Sequence, residues 1–193
     1  VYKTWFAKKM KQDIDICVLS NVLLFMHEKK LPMSYIDTTS YELIRSAISQ
    51  GYHLNKGHLL SSQYQSSTII LYHVARLLAV TNSSLLNDIR SIIKIDIHQR
   101  LTETSNLMEK VVLLSSLFRL GEKVDFDIDY QELHNDMKRF YWFKANPFYS
   151  SKFWIRKLVG NSNFVQSRYR CEAYYWSLVL ELECLSNINH LTF

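Results

Sequence analysis

Gln12-Asp-Ile-Asp-Ile-Cys-Val-Leu-Ser-Asn-Val-Leu-Leu-Phe-Met26 opens the first helix that the sequence predicts. Asp13 and Asp15 precede an apolar run, and a carboxylate at that place can cap a helix or favour its dipole. Apolar side chains then recur at helical spacing on one face and its neighbouring stripe. They are Val18, Val22, Phe25, Leu19, Leu23 and Met26. The pattern predicts a helix over residues 15–28 with two acids at its start.

The composition of the chain favours an all-α fold. Hydrophobic residues make up 48% of the 193 residues, enough for a substantial core, and only four Gly and two Pro are present. Sheet proteins built on many tight turns need more of both. No linker divides the chain, so we expect one helical domain over residues 1–193. The chain starts at Val1 rather than Met, and we expect this domain to be either complete or part of a larger protein.

Charge, cysteine usage and missing motifs argue against several function classes. The formal charge of +5 comes from scattered basic residues, so we expect no nucleic-acid partner. Cys17, Cys171 and Cys184 lack CxxC spacing, which predicts buried cysteines with neither a metal site nor a redox pair. Motifs of nucleotide, hydrolase and zinc-protease sites are absent, and we expect no cofactor. No signal peptide or membrane-spanning run is visible, so we expect a cytoplasmic protein without a transmembrane segment.

Six more helices follow from apolar periodicity and capping signals. Their predicted ranges are 38–50, 66–80, 84 to 95 or 101, 105–120, 130–140 and 171–185. The polar segment 52–65 is interpreted as a connection, and the aromatic-rich segment 140–156 as a loop or a short hairpin. Short links between successive helices predict antiparallel α-hairpins. The first, third and fifth helices are more apolar than the fourth and sixth, so we expect them to form an inner layer.

Four segments carry a resemblance to a known family. Thr4-Trp-Phe with Asp13-Ile-Asp-Ile-Cys-Val-Leu-Ser-Asn-Val-Leu-Leu-Phe25 is similar to the pattern Asn-Asp-Val-Asp-Pro-x-Val-Asn-Ala-Asn-Val-Leu. The later segments are Tyr64–Arg76, Asn106–Leu120 and Ser167–Leu185. Together they resemble a bacterial branch of the terpenoid cyclase and protein prenyltransferase superfamily. That resemblance implies antiparallel helical hairpins forming part of an α/α toroid, or an arc of about seven helices.

The resemblance also implies an apolar or isoprenoid-like ligand in the concave centre of the arc. Cyclases of this superfamily protonate an alkene or epoxide with the middle acid of an Asp-x-Asp-Asp motif. Here Asp15 is the candidate acid and Asp13 its tuning neighbour, since such an acid must stay neutral in a dry pocket. Aromatic faces then stabilise the cation. The predicted ligand-binding residues are Asn21, Tyr72, His73, Trp142, Trp154, Tyr174, Tyr175 and Trp176.

Other features keep a non-catalytic alternative open. The motif reads Asp13-Ile-Asp-Ile16 without its fourth acid, and the Gln-Trp motifs of squalene-type cyclases are absent. Both acids are also explained as helix-start carboxylates, and the aromatic residues as core, and the sequence favours this explanation. A lone interior histidine such as His73 is usually hydrogen-bonded packing. The sequence thus predicts either a terpenoid-cyclase-like ligand binder or a helical scaffold for a protein or peptide partner. If the first protein is an enzyme, we expect an acid-initiated reaction of cyclase or lyase type.

Overall fold

The computed structural model describes residues 1–3, 14–81, 83–145 and 167–191. Within these ranges the protein is mostly helical, which confirms the all-α prediction; the toroid arrangement stays a prediction. The helices are α1 (Ile16–Glu28), α2 (Tyr35–Ser49), α3 (Tyr52–Asn55), α4 (Gly57–Leu60), α5 (Ser67–Val80), α6 (Asn87–Glu103), α7 (Leu107–Arg119), α8 (Tyr130–Met137) and α9 (Glu172–Leu191). Two short strands, β1 (Phe143–Ala145) and β2 (Ser167–Tyr169), accompany them.

All seven helices that periodicity predicts are present, and their ends follow from capping. Asp15 is the N-cap of α1, as expected. The predicted start of α2 at residue 38 is late, because Ser34 caps the helix and Tyr35 begins it. The Ser34 hydroxyl accepts from the Asp37 N–H, and the Asp37 carboxylate accepts from the Ser34 N–H at 2.7 Å. This reciprocal capping box stabilises the first turn of α2.

The segment interpreted as a connection is more ordered than predicted. It contains α3 and α4, which have four residues each. Helices of this length show no apolar periodicity, so the sequence pattern could not reveal them. In the aromatic-rich segment, β1 pairs antiparallel with β2, and Phe143 lies opposite Tyr169. The strand partner at residues 167–169 was not predicted.

The expectation of three buried cysteines is confirmed for one and wrong for two. Cys17 is fully buried in α1, whereas Cys171 and Cys184 are exposed. Cys171 precedes the first turn of α9, and Cys184 lies away from the apolar stripe by which α9 packs. That stripe consists of Tyr175, Leu178, Val179 and Leu182.

Four helices pack in a row that forms the interior. The most extensive helix contacts join α1 to α5, α5 to α7, and α7 to α9. Helices α2 and α6 contact each other on one side of this row. Most residues of α5 and α7 are buried, as their wide apolar arcs predicted. This arrangement agrees with an inner layer that includes the first, third and fifth predicted helices.

The buried side chains form two clusters that share α5 and α7. The first cluster joins α1, α2, α5, α6 and α7, and the second joins α5, α7, α8 and α9. On α5, Leu71 belongs to the first cluster and Tyr72 to the second. On α7, Leu113 belongs to the first cluster and Val112 to the second. Among the described helices, none is long and apolar enough to cross a membrane.

Candidate functional site

Asp15 is buried at the start of α1, where its carboxylate accepts hydrogen bonds. Its Oδ1 accepts from the backbone N–H groups of Cys17 at 2.9 Å and Val18 at 3.2 Å. Its Oδ2 accepts from the Ser61 hydroxyl at 2.5 Å, and the residue is only 1% exposed. In each of these bonds Asp15 acts as an acceptor, as an N-cap does. The predicted tuning acid, Asp13, lies outside the described residues.

Ser61 connects this cap to the aromatic residues nearby. Its oxygen accepts a hydrogen bond from the Tyr64 N–H at 2.9 Å while its hydroxyl donates to Asp15. The Tyr64 ring packs edge-on against the imidazole of His73, with 5.6 Å between ring centroids. One serine and one tyrosine therefore link Asp15 to His73.

The thiol beside Asp15 is not a nucleophile. Cys17 is fully buried, and burial together with the Asp15 carboxylate raises the pKa of this thiol well above its usual value. Nucleophilic cysteines require the thiolate, which this environment disfavours. Cys17 is therefore a core residue, as the sequence predicted.

His73 holds one defined tautomer on α5. Its Nδ1 lies 3.2 Å from Oδ1 of Asn21, and the same oxygen accepts from Nη1 of Arg76 at 3.3 Å. Because that amide oxygen can only accept, Nδ1 of His73 carries the proton. Nε2 is then a bare acceptor. It is buried, and no described group donates a hydrogen bond to it.

The environment of His73 keeps its ring neutral. Burial, reinforced by the nearby Arg76 cation, lowers the pKa of His73 to about 3. Both causes disfavour the imidazolium. At neutral pH the side chain can therefore offer Nε2 as an acceptor, but it cannot serve as a cationic acid.

Aromatic rings surround His73 on several sides. The ring centroids of Tyr64 and Tyr72 lie 5.6 Å from that of His73, and Trp142 lies 5.8 Å away. Trp142 in turn contacts Tyr174 on α9, with 5.0 Å between centroids. These distances are typical of edge-to-face pairs. We call these five residues, Tyr64, Tyr72, His73, Trp142 and Tyr174, the His73 cluster.

An ion pair anchors one wall of the His73 cluster. The Tyr72 hydroxyl donates to Oε2 of Glu181 at 2.8 Å, and Nε of Arg119 donates to Oε1 at the same distance. Burial and the Glu181 carboxylate raise the pKa of Tyr72, so the phenol stays protonated. Burial likewise raises the pKa of Tyr174 to about 12. Both tyrosines are neutral hydrogen-bonding groups at physiological pH.

Most of the predicted ligand-binding residues come together in the structure. Asn21 was predicted, and so were four of the five residues of the His73 cluster, all except Tyr64. Tyr175 lies elsewhere: its ring packs on Phe140 at 5.3 Å, and its hydroxyl donates to the Phe140 carbonyl. Trp176 is half-buried against the second core cluster. Trp154 lies outside the described residues.

Several residues of the site were absent from the prediction, among them Tyr64, Arg119 and Glu181. Tyr64 was quoted only as the start of a segment in the family resemblance. Glu181 carried a usable signal, because it follows Tyr174 by two helical turns and so lies on the same face of α9. Elsewhere on α9, the Glu183 carboxylate accepts from the Tyr130 hydroxyl.

The described residues contain no group of three His, Cys, Asp or Glu side chains placed to hold a metal ion. What they present is a ring-lined site with one neutral buried acceptor, His73 Nε2. Compared with known proteins, the chain matches no family model, no curated protein and no solved structure.

Proposed function

We propose that the protein binds an apolar, isoprenoid-like molecule bearing one hydroxyl group, and that the His73 cluster is its binding site. The observation that carries this proposal is the buried Nε2 of His73, which has no donor among the described residues. Buried polar atoms are nearly always paired in folded proteins, and an unpaired one costs about 1–3 kcal/mol. A ligand hydroxyl supplies the missing donor, and the surrounding rings supply apolar contact.

The outer side of the His73 cluster gives a route to this acceptor. Trp142 is half-buried and lies on a bend between α8 and β1, outside the helices. Tyr174 is 37% exposed. The proposal requires the Trp142 side chain to turn away from its contacts with Tyr72, His73 and Tyr174. That movement uncovers His73 for a ligand that approaches between α5 and α9.

The row formed by α1, α5, α7 and α9 supports the accompanying proposal of a terpenoid-cyclase-like helical arc. Its members are the apolar helices that an inner toroid layer requires, and they pack in chain order. The His73 cluster is built on two of them, α5 and α9. A fold of this kind accommodates many functions, so it is the His73 cluster, and not the fold, that supports a bound ligand.

Within this proposal Asp15 positions the site rather than donating a proton. The backbone donors and the Ser61 hydroxyl occupy its oxygens. Through Ser61, the carboxylate holds the Tyr64 backbone, and with it one ring of the His73 cluster. The proposal is therefore a binding function, with no acid-initiated reaction assigned to Asp15.

The proposal is tested by titrating the full chain with farnesol and with the hydrocarbon farnesene, following heat by calorimetry. We expect farnesol to bind more tightly, because only the alcohol can donate to His73. The variant His73→Phe keeps a ring of similar shape and removes the acceptor. It should weaken farnesol binding about tenfold, the effect of one lost hydrogen bond to a buried group, and leave farnesene unchanged.

His58→Phe is the matched control, since His58 is exposed and is not a member of the His73 cluster. Equal affinity for the two ligands, or no response to His73→Phe, contradicts the proposed site. If the protein binds neither ligand, the remaining prediction is a helical scaffold for a protein or peptide partner. Mass spectrometry of the ligand separates binding from turnover: a cyclised product that Asp15→Asn fails to form would return the acid role to Asp15.

A further inference from the structure

A pocket lies away from the His73 cluster, where the end of α1, the start of α2 and the chain after α5 meet. Its volume is about 680 Å³, within the range of small-molecule sites. The apolar part of its wall consists of Leu23, Met26, Leu31, Met33, Tyr41 and Leu85. Two of these side chains, Leu31 and Met33, are largely exposed, so the pocket opens to the surface.

Two basic side chains stand in the same wall. His27 and Lys30 line the pocket, and neither side chain has a hydrogen bond or an ion pair with a described residue. Some described basic side chains elsewhere, Arg45 and Arg119 among them, pair with carboxylates instead. An apolar pocket with an unpaired cation in its wall is complementary to an amphiphile with an anionic head.

The backbone holds Lys30 in a conformation that favours glycine. Its φ is 51°, and it is the only described non-glycine residue with positive φ. The Lys30 N–H bonds to the His27 carbonyl, and the Leu31 N–H to the Met26 carbonyl, which together form a Schellman motif. A lysine there costs about 1 kcal/mol relative to glycine. Strained residues of this kind cluster at ligand-binding positions.

The one carboxylate among the lining residues, Asp37, is already engaged by hydrogen bonds within the protein. Asp37 is 1% exposed, and its oxygens accept from the Tyr2 hydroxyl and from both the N–H and the hydroxyl of Ser34. These donors lower the pKa of Asp37, although burial alone would raise it. The carboxylate is thus engaged by the capping box of α2, while the lysine of the wall stays unpaired.

We propose that this pocket binds an aliphatic carboxylate, with Lys30 and His27 holding the carboxylate group and the apolar wall holding the chain. Lys30 provides the charge-assisted hydrogen bonds. Leu23 and Met26 at the end of α1 and Leu85 before α6 contact the aliphatic carbons. The site is independent of the His73 cluster and of the ligand proposed there.

The proposal is tested by calorimetric titration of the full chain with dodecanoate, below its micelle-forming concentration, and with dodecanol. We expect dodecanoate to bind more tightly. Lys30→Gly should weaken dodecanoate about tenfold, equivalent to about 1.4 kcal/mol, and leave dodecanol unchanged. Because glycine relieves the positive φ, the same variant should not lower the melting temperature. Loss of binding without loss of stability separates ligand contact from misfolding.

Lys29→Ala is the matched control, since it removes the same charge from the neighbouring residue, which does not line the pocket. Met33→Glu places a carboxylate in the exposed part of the wall and should weaken both ligands. The proposal is overturned if dodecanoate fails to bind, or if dodecanol binds as tightly. An effect of Lys29→Ala equal to that of Lys30→Gly, or full binding by Met33→Glu, overturns it as well.

Discussion

At the scale of single residues, His73 shows how a polar side chain can be both buried and neutral. Asn21 accepts a hydrogen bond from the one N–H group of the His73 ring. The nearby Arg76 cation disfavours protonation of the second ring nitrogen, Nε2, which is buried among aromatic rings. The folded protein therefore takes up no proton at this residue until the pH is far below the usual range of histidine. In the unfolded chain the same residue titrates normally, near pH 6.5.

This difference predicts how stability depends on pH. The pKa of His73 is lower in the folded protein than in the unfolded chain, so the unfolded chain binds more protons as the pH falls below about 6.5. The free energy of unfolding should therefore decrease from about pH 7 towards about pH 5, by up to about 1.4 kcal/mol per pH unit for one histidine. Burial also lowers the pKa of His53, which acts in the same direction.

Urea denaturation across this pH range measures the slope. His73→Phe should make it shallower, whereas His58→Phe, at an exposed position, should leave it close to that of the unchanged chain. An identical slope for the unchanged chain and His73→Phe would show that His73 titrates alike in both states. The contacts around Nδ1 and Nε2 would then not describe the folded protein in solution.

At the scale of elements, the short helix α4 matters because it brings two stretches of backbone together. Gly57 is buried at its start, and a Cβ atom there would lie 2.3 Å from the carbonyl oxygen of Gln65. The same helix ends at Ser61, whose hydroxyl reaches Asp15. Close approach at Gly57 therefore sets the position of the chain that enters α5.

We expect Gly57→Ala to destabilise the protein by about 1–3 kcal/mol or more, since the opposing atom belongs to backbone and cannot rotate away. Gly51→Ala is the comparison. Gly51 has open space around it but a φ of +68°, so alanine there carries only the conformational cost of about 1 kcal/mol. Urea denaturation of both variants decides the matter. A smaller loss for Gly57→Ala than for Gly51→Ala would mean that α4 does not pack against Gln65 in solution.

Long elements could be predicted from the sequence, whereas very short ones could not. Long helices such as α5 and α7 were predictable because their apolar residues recur over several turns and because Gly121 ends α7 with positive φ. Helices α3 and α4 were not predictable, since four residues form only one turn. The pairing of β1 with β2 depends on contacts between residues far apart in the chain, which no local pattern records.

In the candidate site too, some residues were predictable from the sequence and others were not. Asn21, Tyr72 and His73 were predicted because they lie in segments that carry the family resemblance. Their partners Arg119 and Glu181 come from other helices, and their meeting depends on how α5, α7 and α9 pack. The capping role of Asp15 was predictable, whereas its bond to Ser61 was not, because 46 residues separate the two.

At the scale of the whole molecule, α5 and α7 tie the two core clusters into one unit. Neighbouring residues on each of these helices point into different clusters, as Leu71 and Tyr72 do on α5. Loss of one cluster would strip contacts from the helices that support the other. We therefore expect the described parts of both clusters to unfold together rather than in succession.

A substitution in one cluster, read out in the other, tests this coupling. Leu178 on α9 is 3% exposed and belongs to the second cluster, and Leu178→Ala should cost about 2–5 kcal/mol. Cys17 on α1 belongs to the first cluster and is fully buried, so thiol labelling of Cys17 reports the opening of that cluster. Exposed Cys171 and Cys184 label quickly and are distinguished by peptide mass spectrometry. We expect Leu178→Ala to lower the protection of Cys17 by the same free energy that urea denaturation records for the whole chain. Unchanged protection of Cys17 in a clearly destabilised Leu178→Ala protein would instead show that the two clusters open independently, despite sharing α5 and α7.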